Sequence, residues 1–457
     1  MPMAERLLVI GADAAGMTAA SQARRRRTPD ELEILAFDRG HHSSYSACGI
    51  PYWIGGLVDG PDRLVARSPT EHRKRGIEVH LRHEVTGIDL DKRVVTVRDL
   101  DSGGERAEGF GQLVIAAGAV PIRPDWPGIG LPGVHGVQTL DDGENVIGCL
   151  DGARNAVVIG GGYIGVELAE AMVRRGLAVT LLDKAPHPMS TLDPDMGALV
   201  HQAMTGLGID VRTGVSVRGI EAGSDGRAGS VTTDHGTHQA DVVILGLGVA
   251  PNTTLARDAG LPVGESGGIV TDDHMAVPGH DGIWAAGDCV EVHHRVSGRP
   301  VAIALGTHAN KQGRVVGINA TGGDAVFPGV VGTAVSKVCD LEIARTGLRE
   351  KDCAEAGIEI VTATIESDSR AGYYPDAQKM TVKLLAERHT GRLVGGQIVG
   401  REGAAKRVDV LAVALWNAMT VEDMVSLDLG YAPPFSPVWD PVLVAARKAA
   451  DVRAGHR

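Results

Sequence analysis

Aromatic side chains are scarce, with four phenylalanines, six tyrosines and five tryptophans among 457 residues. That is too few to build the stacking surface on which single-stranded nucleic acid is held. Positive charge is in deficit as well. A formal charge of −12 argues against a general polyanion binder, because phosphate backbones are gripped by an excess of lysine and arginine. No apolar run reaches the roughly 18 residues of a spanning helix, and MPMAERLLVIG leads straight into a strand without a signal-peptide pattern. The expectation is a soluble, cytoplasmic protein with no membrane or nucleic-acid partner. Cysteine is rare too. Cys48, Cys149, Cys289, Cys339 and Cys353 stand far apart, with no CxxC and an odd total, which does not fit a disulfide framework or a structural zinc site. The histidines, including His41-His42 and His293-His294, lack HExxH or Cys/His ligand spacing, so no metal is expected.

What is abundant is glycine. The 62 glycines are about twice the usual share of roughly 7% and have no collagen-like period, so they are read as turns and close backbone approaches. The length suggests about three domains of roughly 150 residues. One internal similarity organises the chain: LLVIGADAAGMTAASQARRRR from Leu7 and AVVIGGGYIGVELAEAMVRRG from Ala156 share a strand, a small-residue turn and a helical stretch. Each then runs to a second apolar strand ending in an acid, Asp38 in EILAFD and Asp183 in TLLD. That is a βαβ unit twice.

Between the two copies, KRVVTVRDL and QLVIAAGAVPIRP read as strands, and Pro121, Pro124 and Pro127 mark a crossing near residues 121–130. The second unit closes at DVVILGLGVAPNT, after which GIVTDDHMAVPGHDGIWAAGDCVEV can return to the first. Beyond Phe327-Pro328, the strands EIVTATIES, KMTVKLLAE and LVGGQIVG with the helix AAKRVDVLAVALWNAM suggest an α+β unit.

In GGGYIG, Gly160, Gly162 and Gly165 stand in the GxGxxG register, in which backbone N–H groups at a helix start approach a pyrophosphate. Asp183 lies where an acid accepts from a free ribose hydroxyl and repels a 2′-phosphate, which favours NADH, while Lys184 weakens the bias against NADPH. The first copy, GADAAG, keeps Gly11 and Gly16 but has Asp13 at the middle glycine position. Its context supports it nonetheless, through Asp38 at the ribose position and Asp288 in GIWAAGDC, which can reach a ribityl or phosphate group. Two dinucleotide sites on one chain suggest a flavin plus a nicotinamide.

Cys48 lies in SYSACGIPYWIGG, with Pro51 fitting the first turn of a helix. A thiol at that positive end has a lowered pKa and makes a nucleophile; a buried structural cysteine is the alternative. Trp53 stands where dual-cysteine reductases carry a second thiol, so a reactive Cys48 would exchange with a thiol from outside.

TAASQARR, SYSACGIPYWIGG, AAGA, GGGYIGVELAE, AAGDC, THANKQGR, SKVCDLEIARTGL, GYYPDA and YAPPFSPVWDP occur in that order over essentially the whole chain. In this the sequence resembles the coenzyme A disulfide reductase branch of the single-cysteine, FAD-dependent pyridine nucleotide-disulfide oxidoreductases. The resemblance implies an α/β protein with two Rossmann-like domains and an α+β dimerisation domain. The FAD domain would span residues 1–122 and 250–325, the NAD(P)H domain 123–249 and the dimerisation domain 326–457. Ala15, Arg39, Ala117, Gly118, Tyr163, Ile164, Glu167, Gly248 and Gly287 join the cofactor-binding set on this basis.

The resemblance further implies a homodimer with shared active sites. Cys48 would be the redox cysteine, forming a mixed disulfide with coenzyme A, and Tyr373 and Tyr431 would reach the partner's site. A phenol with a pKa near ~10 can give a proton to a departing thiolate of pKa ~8.5. Contacts to coenzyme A carry over to Thr18, Gln22, Arg25, Ser44, Lys74 and His308. In the run Arg24 to Arg27, three of the four arginines are read as a solvated helix end and one as a phosphate ligand. Asp13, Ala47 before the cysteine, and Trp439 in place of a basic substrate contact depart from the family pattern and bear on coenzyme A itself. Ala14 stands where the oxidase and peroxidase branches carry a histidine. The activity implied is reduction of coenzyme A disulfide or a related small disulfide or persulfide by NAD(P)H. The rivals are an NADH oxidase or peroxidase and a redox-sensing flavoprotein with little turnover.

Overall fold

The strand Glu5–Ile10 is apolar on both faces because both are covered: Leu7, Leu8 and Val9 expose no surface. In the computed structural model, which describes residues 5–455, it is the centre of a five-stranded parallel sheet. The order is Ile283–Ala285, Gln112–Ile115, Glu5–Ile10, Leu32–Phe37, Glu78–His80. The helix Ala14–Arg26 makes the first crossover, and Gly306–Asn319 packs along it. Residues on either side of the second βαβ unit thus build one sheet.

That second unit repeats the plan. Asp210–Thr213, Ala178–Asp183, Asn155–Ile159, Val242–Leu245 and Val134–Gly136 form a parallel sheet in that order, with Tyr163–Arg174 as the matching crossover helix. Each parallel sheet has a three-stranded antiparallel companion, at residues 83–109 and 217–239. The chain passes between the two units through an antiparallel ribbon of Ala119–Pro121 and Val249–Pro251.

The C-terminal unit is an antiparallel sheet ordered Ala334–Val338, Leu341–Gly347, Leu393–Gly400, Lys379–Glu387, Ile360–Asp368. The helices Ala404–Trp416 and Pro441–Arg453 share a buried apolar core with it. The expected strands and helix of this α+β unit are all present. It meets the second nucleotide-binding unit through a shared apolar cluster that takes in Val338, Ile343 and Val399 and through polar contacts: Ser336 Oγ donates to Glu167 at 2.7 Å and the Cys339 amide to Glu170 at 2.7 Å. The architecture is two Rossmann-like units and an α+β unit, and no helix among the described residues is long and apolar enough to cross a membrane. The expected domain spans begin and end in residues 1–4 and 456–457, which lie outside the described residues.

Candidate functional site

Both glycine turns are closed in the same way. The Gly11 amide donates to Phe37 O at 2.8 Å and the Gly160 amide to Leu182 O at 2.7 Å, each on the strand that ends in an acid. The acids then hold the turns. Asp38 accepts from the Ala12 and Gly40 amides, both at 2.8 Å, and Asp183 accepts from Gly161 at 2.7 Å and Ala185 at 2.8 Å. A carboxylate has about four lone-pair sites, so each keeps capacity for a ribose hydroxyl. Where turn and helix touch, a side chain is excluded: a Cβ on Gly16 would sit 2.0 Å from Gly11 O, and one on Gly165 1.9 Å from Gly160 O. Gly162 differs. A Cβ there would come no closer than 3.9 Å to protein, at Gly246 O.

Around these turns stand the other expected cofactor residues. Ala15 is buried beneath the first turn and packs against Gly287, whose amide donates to Gln312 at 2.7 Å. Ala117 and Gly118 are held by their carbonyls, through Asn252, and Gly248 O accepts from the Ile122 amide at 3.0 Å across the two-stranded ribbon. Arg39 is exposed beside Asp38. Tyr163 and Ile164 open the second crossover helix, and Glu167 lies one turn on, where burial first of all pushes its carboxyl up.

Cys48 sits in the single turn Ala47–Gly49, followed by the short helix Ile50–Ile54 with Pro51 in its first turn, as expected. Of the five free cysteines it is the exposed one. Trp53 is 7% exposed, in the core, and supplies no second redox partner. The expected lowering of the thiol pKa is overturned. Desolvation by the surrounding protein pushes it up, and Glu167, Asp288 and Asp13 add to the rise. A helix of five residues has too weak a dipole to offset burial reinforced by three carboxylates.

The cysteine loop is tied to the first turn. The Ser44 amide donates to Ala12 O at 3.0 Å, the Tyr45 amide to Asp13 Oδ1 at 3.0 Å, and Ser44 Oγ lies 3.0 Å from Nε2 of the buried His72.

Thr18, Gln22 and Arg25 share a face of Ala14–Arg26, at helical spacing. Thr18 Oγ1 donates to Asn310 Oδ1 at 2.7 Å, and Arg25 Nη1 to Gln22 Oε1 at 3.3 Å. The other arginines of the run have structural partners: Arg24 binds the carbonyls of Arg27, Leu32 and Gly76, Arg26 binds Thr321, and Arg27 pairs with Glu5 and Glu31. Arg25 is left exposed. His308 lies two residues before Asn310, and burial, with help from Lys311, pushes its imidazole down to about 4, so it is neutral at physiological pH. Lys74 is exposed at the end of the helix that carries His72. Neither Lys74 nor His308 contacts the cysteine loop in the hydrogen-bond network of the described residues.

Tyr373 and Tyr431 are 79% and 48% exposed and stand together, the hydrogen bond with Tyr373 raising the Tyr431 phenol. They are not among the groups acting on Cys48 of their own chain. Phe435, Val438 and Trp439 are exposed as well. Trp439, which replaces a basic residue, has a cation at its face after all: the Arg447 guanidinium lies 5.0 Å from the ring centre.

The chain matches the family model described as pyridine nucleotide-disulphide oxidoreductase over residues 5–313, and that family's dimerisation domain over residues 333–441. The chain belongs to the pyridine nucleotide-disulphide oxidoreductases. It is 36% identical to an NAD(P)H coenzyme A polysulfide/persulfide reductase of Pyrococcus horikoshii, covering 97% of this chain and 98% of the relative. Among solved structures it resembles an NAD-dependent persulfide reductase from A. fulgidus, with TM-score 0.95, 38% identity and coverage of 98% of this chain and 84% of the other. It also resembles the reduced CoADR-RHD of Bacillus anthracis, with TM-score 0.95, 33% identity and coverage of 99% and 81%.

As a member of this family the protein is an FAD-dependent NAD(P)H oxidoreductase, and its residues fit both cofactors. Gly162 has a bare face that the protein itself does not need. Asp288, half-buried and pushed up to about 6 by desolvation, has no side-chain hydrogen bond among the described residues. Two residues were missed in the sequence. Asn310 could have been found from THANKQGR, in which it follows His308 by two positions. His72 carries no sequence signal, because its partner Ser44 lies 28 positions away.

Proposed function

We propose that the enzyme reduces coenzyme A disulfide, or a related low-molecular-weight disulfide or persulfide, through Cys48 as its single redox thiol. The observation that carries this reading is Cys48 itself: the exposed member of five unpaired cysteines, with no second thiol in its loop and with carboxylates of both nucleotide-binding units around it. Residues 1–122 with 250–325 would bind FAD, 123–249 NAD(P)H, and 326–457 would make the homodimer.

Bound at the first turn, FAD supplies the relay that carries two electrons from NAD(P)H to sulfur. Gly160, Gly162 and Gly165 hold the nicotinamide dinucleotide, with Asp183 at its ribose, and NADH is the preferred donor. The Cys48 thiolate attacks one sulfur of the substrate disulfide. The S–S bond breaks, a mixed disulfide forms on Cys48, and one thiolate leaves. Two electrons then cleave the mixed disulfide, returning the Cys48 thiolate and releasing the second thiolate. The sum is one disulfide, one NADH and one proton converted to two thiols and NAD+.

Tyr373 and Tyr431 of one subunit would serve the Cys48 site of the other, since they are exposed and stand apart from their own cysteine. A phenol held protonated is a proton donor to a departing thiolate. Arg25, with Thr18 and Gln22 beneath it, would take a nucleotide phosphate, and Ser44, Lys74, His308 and Trp439 with its stacked Arg447 would complete the substrate contacts. Free cysteines throughout suit a reducing cytoplasm.

Anaerobic NADH consumption, compared across coenzyme A disulfide, other small disulfides and a persulfide, tests the reading. Fast turnover with a coenzyme A substrate is expected. Cys48→Ser should abolish it while leaving NADH-driven bleaching of the flavin intact. Turnover that survives this change removes Cys48 from the mechanism, and NADH loss confined to aerated solution moves the enzyme to the oxidase class.

A further inference from the structure

Asp13 occupies the middle position of the first turn, where the second has Gly162. It stands at the N-cap of Ala14–Arg26, yet its side chain makes no capping bond to that helix. Instead Oδ1 reaches back to the Tyr45 amide at 3.0 Å. The amides at such a helix start are the groups that receive a dinucleotide pyrophosphate, and a carboxylate among them meets two phosphate charges of its own sign. Nothing nearby neutralises it. The charged groups acting on Asp13 are both acids, Asp38 from the end of Leu32–Phe37 and Asp288 from the turn after Ile283–Ala285. The cysteine loop adds only Tyr45 and the Cys48 thiol, each of which Asp13 perturbs. The packed helix Gly306–Asn319 carries His308, which Lys311 perturbs, and the exposed Arg314, and none of these three is among the groups acting on Asp13.

We propose that FAD binding to this chain is coupled to the uptake of one proton at Asp13, so that the turn presents a neutral carboxylic acid to the pyrophosphate. The proton comes from solvent and forms an O–H bond on the carboxyl, converting a repelling acceptor into a hydrogen-bond donor for a phosphate oxygen. The inference rests on placing FAD at the first turn. Burial, opposed by the Tyr45 and Ala14 amides and reinforced by Asp38 and Asp288, already pushes Asp13 up to about 7.

The sign follows from linkage. Phosphate charge raises Asp13 further, so the complex keeps its proton to higher pH than the free protein does. Below about pH 7 both forms are protonated and affinity is flat; above it each pH unit weakens binding by up to about tenfold, until the complex also ionises. Asp288, pushed up to about 6, would begin any coupling of its own about one unit lower, and Asp288→Asn removes that contribution.

The experiment is titration of FAD-stripped protein with FAD, by flavin fluorescence and by calorimetry in buffers of different ionisation enthalpy. Wild type should bind about tenfold more weakly at about pH 8 than at about pH 6, and take up close to one proton at the higher pH. Asp13→Asn keeps an oxygen for the Tyr45 amide but carries no charge; it should bind with no such slope and no proton uptake. Asp288→Asn should keep the slope above about pH 7. Where the stripped protein does not stay folded, the temperature at which the holoenzyme releases flavin serves instead, falling between about pH 7 and 8.5 in wild type and not in Asp13→Asn. FAD binding with no pH slope, or a slope that persists in Asp13→Asn, overturns the coupling alone. Failure to bind FAD at any pH overturns the placement of FAD as well.

Discussion

Glu167 links the chemistry of one nucleotide-binding unit to the thiol of the other. It starts one turn into Tyr163–Arg174, receives the Ser336 hydroxyl at 2.7 Å, and is the largest charge effect on Cys48 after desolvation. A negative group facing a thiol disfavours the thiolate. Glu167→Gln should therefore move the pH profile of Cys48 alkylation by iodoacetamide to lower pH, and speed alkylation at neutral pH. An unchanged profile would show that Glu167 does not act on the sulfur. The placement of Cys48 just before a short proline-started helix was legible in SYSACGIPYWIGG; its electrostatics were not. Burial of the thiol acts first, and Asp13, Glu167 and Asp288 lie on separate segments that only the fold brings around the cysteine, so local helix-dipole reasoning missed both. The arginine run was legible only in part. Three of the arginines, expected to be solvated, are instead tied to carbonyls, Thr321, Glu5 and Glu31, while Arg25 bonds only to Gln22 on its own helix.

At the scale of elements, the repeat was legible because one steric demand recurs. Helix and turn approach so closely in both units that only hydrogen fits at Gly16 and Gly165. Gly162 answers a different demand, and the two separate by experiment. Gly165→Ala forces a Cβ to 1.9 Å from Gly160 O, so it should lower the thermal midpoint and abolish flavin reduction by NADH. Gly162→Ala has room in the protein. It should leave the melting temperature unchanged and raise the KM for NADH, because its methyl group meets only the dinucleotide. Equal loss of stability in both variants would refute this division. Other elements were harder to see. The hairpin Ala334–Val338 and Leu341–Gly347 turns at Cys339, which has φ +58, a conformation that no glycine or asparagine in the sequence announces. The last helix did carry signals, Asp440 as N-cap accepting from Val442 at 2.9 Å and Pro441 in the first turn, but half of its buried residues, Ala445, Ala446 and Ala449, are alanine, which shows little apolar contrast.

For the whole molecule, the motif pattern pointed to two Rossmann-like units and an α+β unit, as the fold has them, and nothing in the sequence showed how the second and third are fixed together. Beside the Ser336 and Cys339 contacts and the apolar packing of Val338, Ile343 and Val399, a buried lysine joins them. Lys383, 3% exposed on the strand Lys379–Glu387, lies 3.2 Å from Asp193, 2.7 Å from Asp195 and 2.9 Å from Glu350. Asp193 is itself buried, at the N-cap of Pro194–Gly206, and accepts from Gln397 Nε2 at 2.7 Å and the Glu350 amide at 2.9 Å. Removing the cation leaves a buried carboxylate with only neutral donors, a change that costs about 3–5 kcal/mol. Lys383→Met should lower the urea midpoint accordingly and expose the 190–200 segment to protease, while Lys383→Met with Asp193→Asn should recover part of the loss, since two neutral groups need no counter-charge. The pH dependence has a definite sign. Burial would pull Lys383 down, but its hydrogen bonds to Asp195 and Glu350 more than compensate and raise it above its ordinary 10.5. Its stabilisation is therefore complete below 10.5 and lost as pH climbs through the raised value. Wild type should show an alkaline loss of stability in that range that Lys383→Met lacks. If the two proteins lose stability in parallel, the lysine does not hold the units together.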